Sequence, residues 1–421
     1  MQISQEELYR DETQALNLLD ILIVLFAFTG PVIHSLLFIV NARAASGQMA
    51  IVYIMVAVGS VILFVRNGRR FLSRNILNIL LLMFVATASF FITGVVYGRG
   101  NALFISEERA FLGMEGCILL LVLNISWTNK SEINTQLILV FDVILSVVCF
   151  FALTRGNSLT SGGYIYDTSG FLYQNISYYS AYGLGMNMFL LNEYKGKPRT
   201  KWLSVLFLVL TLVQLFSAFM SGGRGGVFLA VVLLAYGLLT IYGFRRAYKM
   251  VLPAAITVIA VIFIFPSVID RFGVSMSGLS RVLSFFSTRN TDRSTIGRAV
   301  FARNAMTAFN ERPAFGHGIG SIFYLVGNYS HNVFTDVLAE TGVVGLIIVT
   351  LILISFLRKV RWLYKEGSFY RFLLMVFVCG ISLNLFSGYL WVNQHVWLPV
   401  AVVMMAPRAR RVNYLRTRET R

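Results

Sequence analysis

Long apolar runs separated by short polar segments constrain this chain more than any other feature. A helix that crosses a bilayer needs about 20 mainly apolar residues. Twelve runs are candidates for such a helix, of which the sixth and the twelfth are the shortest: 18–40, 49–66, 76–98, 110–127, 135–154, 177–192, 202–220, 226–243, 249–267, 333–357, 369–388 and 390–407. Backbone polar groups in lipid must pair within their own segment, so each run is predicted to be helical. The sequence therefore predicts an all-α, polytopic membrane protein with about 12 transmembrane helices.

Composition agrees with this class and excludes others. Only 13% of the residues are charged, against about a quarter in soluble domains. The net charge is +17, but Lys and Arg lie mostly in short loops and not on one continuous face, which argues against a nucleic-acid partner. The three cysteines all lie inside apolar runs, so neither a disulfide framework nor a thiolate metal site is expected. Residues 1–17 are polar and acidic, so no cleavable signal peptide is expected.

The distribution of Lys and Arg predicts the orientation. Both are concentrated in the loops that share a side with the two termini, and this side is therefore predicted to be cytoplasmic. The chain then divides into 1–267 with transmembrane helices 1–9, an extracytoplasmic loop at 268–332, and 333–421 with transmembrane helices 10–12 and a basic cytoplasmic tail. The long loop holds seven Arg, two Asp and one Glu. A loop of this length is expected to fold, here as helix, and to carry function.

A short amphipathic helix is predicted inside that loop, from Ile296 to Glu311, with Ser294 or Asp292 as its cap. Arg298 lies in the middle of its apolar face, while Arg303 lies on the opposite face. An Arg on a buried face needs an anionic partner or a wet cavity. Phosphate binding meets this need, because Arg donates to phosphate bidentately. The alternative is an Arg whose head reaches the rim or pairs with a nearby carboxylate.

A second candidate anion site is the motif SGGRGG at 221–226, between two predicted spans. Its glycines would let a ligand approach the backbone around Arg224. The free N–H groups of the helix that begins near Gly226 also favour an anion. The alternative is a tight turn that carries one interfacial Arg.

The end of the long loop combines histidine with polar residues. His331 lies where the chain re-enters the membrane, and a neutral His can accept a proton from a hydroxyl. Asn332, Asp336 and Glu340 follow at four-residue spacing and form a polar stripe on the next span, where acids are costly and usually functional. A solvated cap residue is the alternative for His331. His317 in the preceding glycine turn is a weaker candidate base.

Other kinds of site lack support in the sequence. There is no HExxH motif and no Cys/His cluster with ligand spacing, so no metal is expected. The P-loop and Rossmann glycine patterns are also missing, so neither a nucleotide donor nor another cofactor is expected. Asp142 and Glu115 are further acids inside predicted spans, and the sequence does not indicate their partners.

The order of these motifs resembles the O-antigen ligase and polymerase family, bacterial envelope enzymes that act on undecaprenyl-pyrophosphate-linked glycans. The resemblance consists of SGGRGG, then Arg298 fifteen residues before Pro313, then FGHGIGSIF, then HNVFTDVLAETGVVGL. It covers residues 221–345, and over the rest of the chain only the layout of spans agrees. The chain has SGGRGG where the family has SRGG, which bears on the alignment of Arg224.

This resemblance implies a GT-C-like membrane glycosyltransferase of the bacterial inner membrane, with its active site on the extracytoplasmic face. Arg224 and Arg298 would hold the pyrophosphate, and His331 would activate the acceptor hydroxyl. Substrate-binding roles are expected for Asn332, Asp336 and Glu340 and for three glycines: Gly316, Gly318 and Gly320. The expected partners are an undecaprenyl-pyrophosphate-linked glycan, the lipid bilayer and a chain-length regulator.

Three functions remain open at the level of sequence. A polymerase would join lipid-linked repeat units, with inversion at the anomeric carbon and without a metal. A ligase would move the finished glycan to lipid A-core or to another acceptor. A flippase for lipid-linked oligosaccharides is the alternative of another class, but such transporters often show two related halves, and no similarity between halves is visible here.

Overall fold

The computed structural model describes residues 18–40, 48–66, 74–128, 130–155, 173–195, 201–243 and 293–406. These residues form helices and contain no strand. Fourteen α-helices are defined in this part of the chain, and one 3-10 turn lies at Leu390–Val392. The first seven helices are α1 Leu18–Ala27, α2 Thr29–Ile39, α3 Gln48–Arg66, α4 Arg74–Tyr97, α5 Ala102–Thr128, α6 Thr135–Arg155 and α7 Tyr173–Glu193. The others are α8 Lys201–Met220, α9 Arg224–Tyr242, α10 Arg293–Glu311, α11 Ile322–Leu325, α12 Val333–Leu363, α13 Ser368–Phe386 and α14 Gln394–Met405.

Eight of these helices are long and apolar enough to cross a membrane, and the number becomes nine if a bent pair counts as one span. The chain is therefore a polytopic helical membrane protein, as predicted. The eight are α3, α4, α5, α6, α8, α9, α12 and α13. The bent pair is α1 and α2, which meet at an angle of 89° in the first predicted run.

The predicted count of twelve spans is not reproduced in the described part of the chain. The run 390–407 contains only the 3-10 turn and the 12-residue helix α14. The run 177–192 is helical as part of α7, but α7 is not apolar enough to pass as a span. The run 249–267 lies outside the described residues, as do positions 268–292 of the predicted loop.

Helix α7 can be polar because protein surrounds it. It packs against α9, α8, α6 and α13, and its residues 176–190 are all buried. A helix enclosed on every side has no face that must match lipid, so Ser, Asn and Tyr side chains can be accommodated if they find partners. In contrast, α3 and α4 are mostly exposed and carry apolar side chains outward, as expected of helices that face lipid.

Helix α12 is bent at Gly342, whose φ of 65° and ψ of −168° are not helical. The segment that follows Pro313 lies against this bend and pairs with the backbone groups that the bend frees. Val343 and Val344 donate to the carbonyls of Pro313 and Ala314 at 2.9 and 3.1 Å. In return, the N–H groups of His317 and Gly318 donate to the carbonyls of Ala339 and Glu340 at 3.1 and 2.8 Å. The glycine turn is therefore fixed to the membrane helix by its backbone.

Candidate functional site

Helix α10 presents the predicted face toward the protein. Ala305 and Ala308 are buried, Arg298 is half-buried on the same side, and Arg303 is exposed on the other. The amphipathic prediction for this helix is thus confirmed by burial. The helix begins one turn earlier than predicted, at Arg293, so Ser294 lies inside it and is not its cap. The other predicted cap, Asp292, immediately precedes Arg293 in the chain and lies outside the described residues.

Arg298 and His331 lie close enough to interact electrostatically, although 33 positions separate them in the chain. The positive charge of Arg298 acts on His331 and also on Tyr329 and Tyr178. Burial, and then the charge of Arg298, lower the pKa of His331 to about 4. The imidazole is therefore neutral near pH 7, which is the form that can accept a proton.

The backbone of His331 is strained. Its φ is 59°, and it is the one non-glycine residue with a positive φ in the described part of the chain. A residue in this region costs about 1–3 kcal/mol, and such strain clusters at functional sites. The ring Nδ1 is buried and finds no hydrogen-bond partner among the described residues. Tyr329 packs on the imidazole with ring centroids 4.4 Å apart.

A set of hydrogen bonds holds the loop around His331. The Asp336 carboxylate accepts from the N–H of Ser330 at 2.8 Å, and the Ser330 hydroxyl lies 2.6 Å from that of Thr335. Asn332 is the N-cap of α12, and its side chain accepts from the N–H of Phe334 at 3.0 Å. Asn332 and Asp336 therefore position His331, and one buried oxygen of Asp336, Oδ2, is without a partner among the described residues.

Arg224 is the first residue of α9, at the same end of the bundle. The adjoining glycines contact α7 closely. A Cβ on Gly225 would lie 1.8 Å from the Tyr178 hydroxyl, and one on Gly226 would lie 2.2 Å from the Ser177 hydroxyl. Because Tyr178 also interacts with Arg298, this tyrosine connects the start of α9 to α10. The expectation that these glycines open the backbone to a ligand is therefore corrected at Gly225 and Gly226, since side chains of α7 occupy that space.

Glu340 does not offer an open oxygen to a substrate. Its side chain is fully buried. Its carboxylate accepts from the Tyr389 hydroxyl at 2.7 Å, the Trp391 indole at 2.6 Å and the N–H of Gly320 at 2.9 Å. The expectation of direct substrate contact does not fit this geometry. Glu340 instead ties the glycine turn and the 3-10 turn to α12.

The glycines around His317 also help to attach the glycine turn to α12. All three have positive φ: 67° at Gly316, 97° at Gly318 and 87° at Gly320. A Cβ on Gly316 would lie 2.4 Å from the backbone of Glu340. The His317 ring is also engaged, since its Nε2 donates to the Ala308 carbonyl at 2.9 Å and its Nδ1 shares a hydrogen bond of 3.0 Å with the Tyr97 hydroxyl. These interactions make His317 a structural residue between α10 and α4.

The two unassigned acids in spans have local partners. Asp142 accepts from the side chain of Gln214 at 2.7 Å, next to Ser146, in the packing between α6 and α8. Glu115 accepts a short hydrogen bond from the hydroxyl of Thr87 on α4. Neither acid contacts the residues around His331 that are described above.

Tyr178 and Tyr329 belong to this site but were not singled out from the sequence. The Tyr329 hydroxyl donates to the carbonyl of Ser387 at 3.1 Å, and the Ser387 side chain bonds that of Tyr178. Burial first, then the negative charges of Glu107 and Asp336, raise the pKa of Tyr329 to about 12 against the opposing effect of Arg298. Tyr329 is therefore a neutral phenol. The cluster of tyrosines at the start of α7 is a sequence signal for Tyr178, whereas Tyr329 in the loop before α12 has none.

The fold and this end of the bundle define a polytopic helical membrane protein with two arginines, a strained histidine, the buried Tyr178 and the half-buried Tyr329. A family model described as O-antigen ligase matches residues 205–350. This match supports the O-antigen ligase and polymerase family that the sequence motifs resemble. The match includes Arg224, Arg298, His331 and the bend of α12, and it contains the segment 221–345 on which the resemblance was based. A search of the curated proteins finds no match.

Proposed function

We propose that the chain transfers a glycan from an undecaprenyl-pyrophosphate donor to the hydroxyl of a second lipid-linked repeat unit. The observation that carries this proposal is the placement of Arg298 near His331, a base held in a strained backbone conformation. A guanidinium suits a diphosphate, and a neutral imidazole suits a hydroxyl. The two groups thus match the two reactants of glycosyl transfer.

In the proposed reaction the acceptor oxygen attacks the anomeric carbon from the side opposite the diphosphate. The bond from that carbon to the diphosphate oxygen breaks, and its electron pair stays on the diphosphate. Arg298 and Arg224 donate hydrogen bonds to the diphosphate oxygens, on which negative charge develops. Stabilisation of such charge by fixed donors is usually the largest single contribution to catalysis. The hydroxyl proton passes to His331. Direct displacement inverts the anomeric carbon.

The electrostatics of the site support a link between donor binding and base strength. The charge of Arg298 lowers the pKa of His331. A bound diphosphate would compensate that charge, so the pKa of His331 would rise toward its ordinary value of about 6.5. His331 would therefore become a better base once the donor is in place.

A ligase that moves the glycan to lipid A-core or to another acceptor is the second candidate, because the matching family model is described as O-antigen ligase. The experiment that tests both is turnover of a lipid-linked repeat unit by the purified protein, with the products sized. A ladder of lipid-linked products supports a polymerase. Transfer to lipid A-core without a ladder supports a ligase. Protein that moves the substrate across vesicles and elongates nothing would contradict both.

A further inference from the structure

The ring of His331 is oriented by packing and not by a hydrogen bond at its buried nitrogen. A histidine that acts as a base is usually oriented by a hydrogen bond at its second ring nitrogen. The buried Nδ1 of His331 has no such partner among the described residues. The ring does contact Tyr329, with centroids 4.4 Å apart and an interplanar angle of 60°. The orientation of the imidazole therefore depends on this tyrosine.

Tyr329 is itself fixed by its hydroxyl, its backbone and its ring. The hydroxyl donates to the carbonyl of Ser387, just after the end of α13, at 3.1 Å. The backbone N–H donates to the side chain of Asn328 at 2.9 Å. The ring stacks on that of Tyr389, with centroids 6.0 Å apart and an interplanar angle of 29°. A tyrosine side chain has only two rotatable χ angles, so these contacts hold the ring in one position.

Tyr389 anchors this stack to α12. It is buried, and its hydroxyl donates to Glu340 at 2.7 Å. Glu340 also accepts from the N–H of Gly320 in the glycine turn, at 2.9 Å. A continuous series of contacts therefore runs from the first part of α12, through Tyr389 and Tyr329, to the imidazole of His331. Close-packed side chains of this kind have little room to move.

The Tyr329 ring also limits the access of water to His331. Burial is the larger of the two causes that lower the pKa of His331 to about 4, and the charge of Arg298 on α10 is the other. Tyr329 contacts the imidazole and therefore contributes to that burial. A further charged group beside this loop is Asp336 of α12, whose carboxylate accepts from the N–H of Ser330 at 2.8 Å. Removal of the Tyr329 ring would uncover the imidazole and leave these charges in place.

We propose that Tyr329 is the positioning residue of the proposed base: its ring orients the imidazole of His331 toward the acceptor hydroxyl and excludes water, and its bond to Ser387 holds the ring there. This inference rests on the proposed function and deepens the same site. Tyr329 exchanges no proton, because its hydroxyl donates to the Ser387 carbonyl. It acts through His331, and a displacement of about 1 Å at a reacting group can slow a reaction about a hundredfold.

Tyr324 supplies a matched control in the same loop. It is also a tyrosine whose hydroxyl donates to a carbonyl, that of Gly98, and its ring stacks on Tyr97 with centroids 5.4 Å apart. These contacts are with the end of α4 and not with His331. Tyr324→Leu therefore removes similar packing without uncovering the base. Its comparison with Tyr329→Leu separates a general loss of stability from a loss of support for His331.

The first measurement is the titration of His331 by NMR, in the purified full chain in detergent with isotope-labelled histidine. The chain has four histidines, and His331→Asn assigns the signal. In Tyr329→Leu the pKa of His331 should rise from about 4 toward its ordinary value of about 6.5. Tyr329→Phe and Tyr324→Leu should titrate like wild type, because both keep an aromatic ring at position 329.

The second measurement is the limiting rate of transfer at saturating lipid-linked repeat unit, isolated from cells that lack this protein. One compound is then both donor and acceptor, so only this rate is compared. At about pH 8 the imidazole is neutral in every variant, and the rate reports its position. Tyr329→Leu should be slower by about tenfold to a hundredfold. Tyr329→Phe should be slower by about fivefold, the equivalent of one neutral hydrogen bond. Tyr324→Leu should match wild type.

Three results would overturn this inference: an unchanged titration of His331 in Tyr329→Leu, a wild-type rate in that variant, or an equal loss of rate in Tyr324→Leu. A wild-type rate in Tyr329→Phe would contradict the part assigned to Ser387. Wild type that transfers nothing would instead overturn the proposed function, and the titration would still decide whether Tyr329 covers the imidazole.

Discussion

At the scale of single residues, His331 is the position where local structure and proposed chemistry agree. A non-glycine residue at φ 59° persists only if its surroundings hold it there. The surroundings are visible: Asp336 and Ser330 fix the loop before α12, and Tyr329 covers the ring. The strained backbone, the partial burial and the neighbouring Arg298 together indicate that His331 has a role other than packing.

Replacement of His331 by Asn separates backbone strain from base chemistry. Asn tolerates the left-handed region better than most residues, so His331→Asn should fold and melt like wild type. It has no basic nitrogen, so transfer should fall by about a hundredfold to ten-thousandfold, the usual contribution of general base catalysis. His331→Ala should lose the same activity and also some stability. Turnover and thermal melting in detergent measure both effects. Near-normal transfer by either variant would remove the base role from His331.

The pH dependence should differ between the free protein and the donor complex. In the free protein, burial and Arg298 lower the pKa of His331 to about 4, so the neutral form prevails above that pH. The acid limb of kcat/KM, which reports the free enzyme, should lie near this value. The acid limb of kcat reports the complex, in which diphosphate offsets Arg298, and should lie at higher pH. If both limbs coincided, the proposed link between donor binding and base strength would be wrong.

Contacts between residues that are distant in the chain could not be predicted from the sequence alone. Arg298 and His331 stood out because a charged residue on an apolar face and a histidine at a membrane edge are locally unusual. Tyr178 and Tyr329 lack such a signal. Both lie near Arg298 because α7, α10 and the loop before α12 converge, and no local pattern gives that convergence. The four-residue spacing and the family resemblance suggested Glu340 as a ligand, whereas its burial and its three hydrogen bonds make it structural.

At the scale of elements, helix α10 shows what periodicity can predict. The covered face was correct because burial follows the 3.6-residue period. The first turn was misplaced because Ser294, a common cap residue, lies inside the helix here. The span count was less accurate for two physical reasons. A helix enclosed by protein, such as α7, need not be apolar, and an apolar run can contain a bend of 89° between α1 and α2.

The two faces of α10 predict opposite outcomes for one substitution. Arg298→Lys keeps the charge but loses the planar fork that binds phosphate bidentately, so transfer should be severely impaired. Arg303→Lys lies on the exposed face and should be close to wild type. Transfer rates and donor KM for the two variants, measured at equal expression, test the assignment. The reverse result, with Arg303→Lys impaired and Arg298→Lys normal, would show that the wrong face binds the donor.

The turn against the bend of α12 makes a prediction about stability. Gly316→Ala combines a positive φ with a Cβ only 2.4 Å from the backbone of Glu340. Gly327→Ala is the matched control, because its φ is also positive, at 87°, and nothing lies within 4 Å of its Cβ. The control should be destabilised only by backbone strain, by about 1 kcal/mol. Gly316→Ala should melt at a clearly lower temperature. Equal melting temperatures would mean that the contact with α12 does not hold the turn.

At the scale of the whole molecule, the proposed site and the ion pair between Arg371 and Glu193 lie at opposite ends of the bundle. One end gathers the start of α7, the start of α9 and the start of α12, with Arg224, Arg298 and His331. The end of α7 and the start of α13 meet at the other end, where Arg371 pairs with Glu193. The excess of Lys and Arg in the loops of that second end is what predicts that it is cytoplasmic. A diphosphate-linked donor at the first end would then be used outside the cytoplasm.

This orientation can be tested with single engineered cysteines, because Cys117, Cys149 and Cys379 are all buried and should not react with an impermeant thiol reagent. Arg303→Cys places a thiol on the exposed face of α10, next to the proposed site but outside it. Lys365→Cys places one in the exposed turn after α12, at the opposite end. In intact spheroplasts the reagent should label position 303 at once and position 365 only after the membrane is opened. The unsubstituted chain is the control for background labelling. Labelling of position 365 but not of 303 from outside would put Arg298 and His331 on the cytoplasmic side, where the proposed extracytoplasmic transfer could not take place.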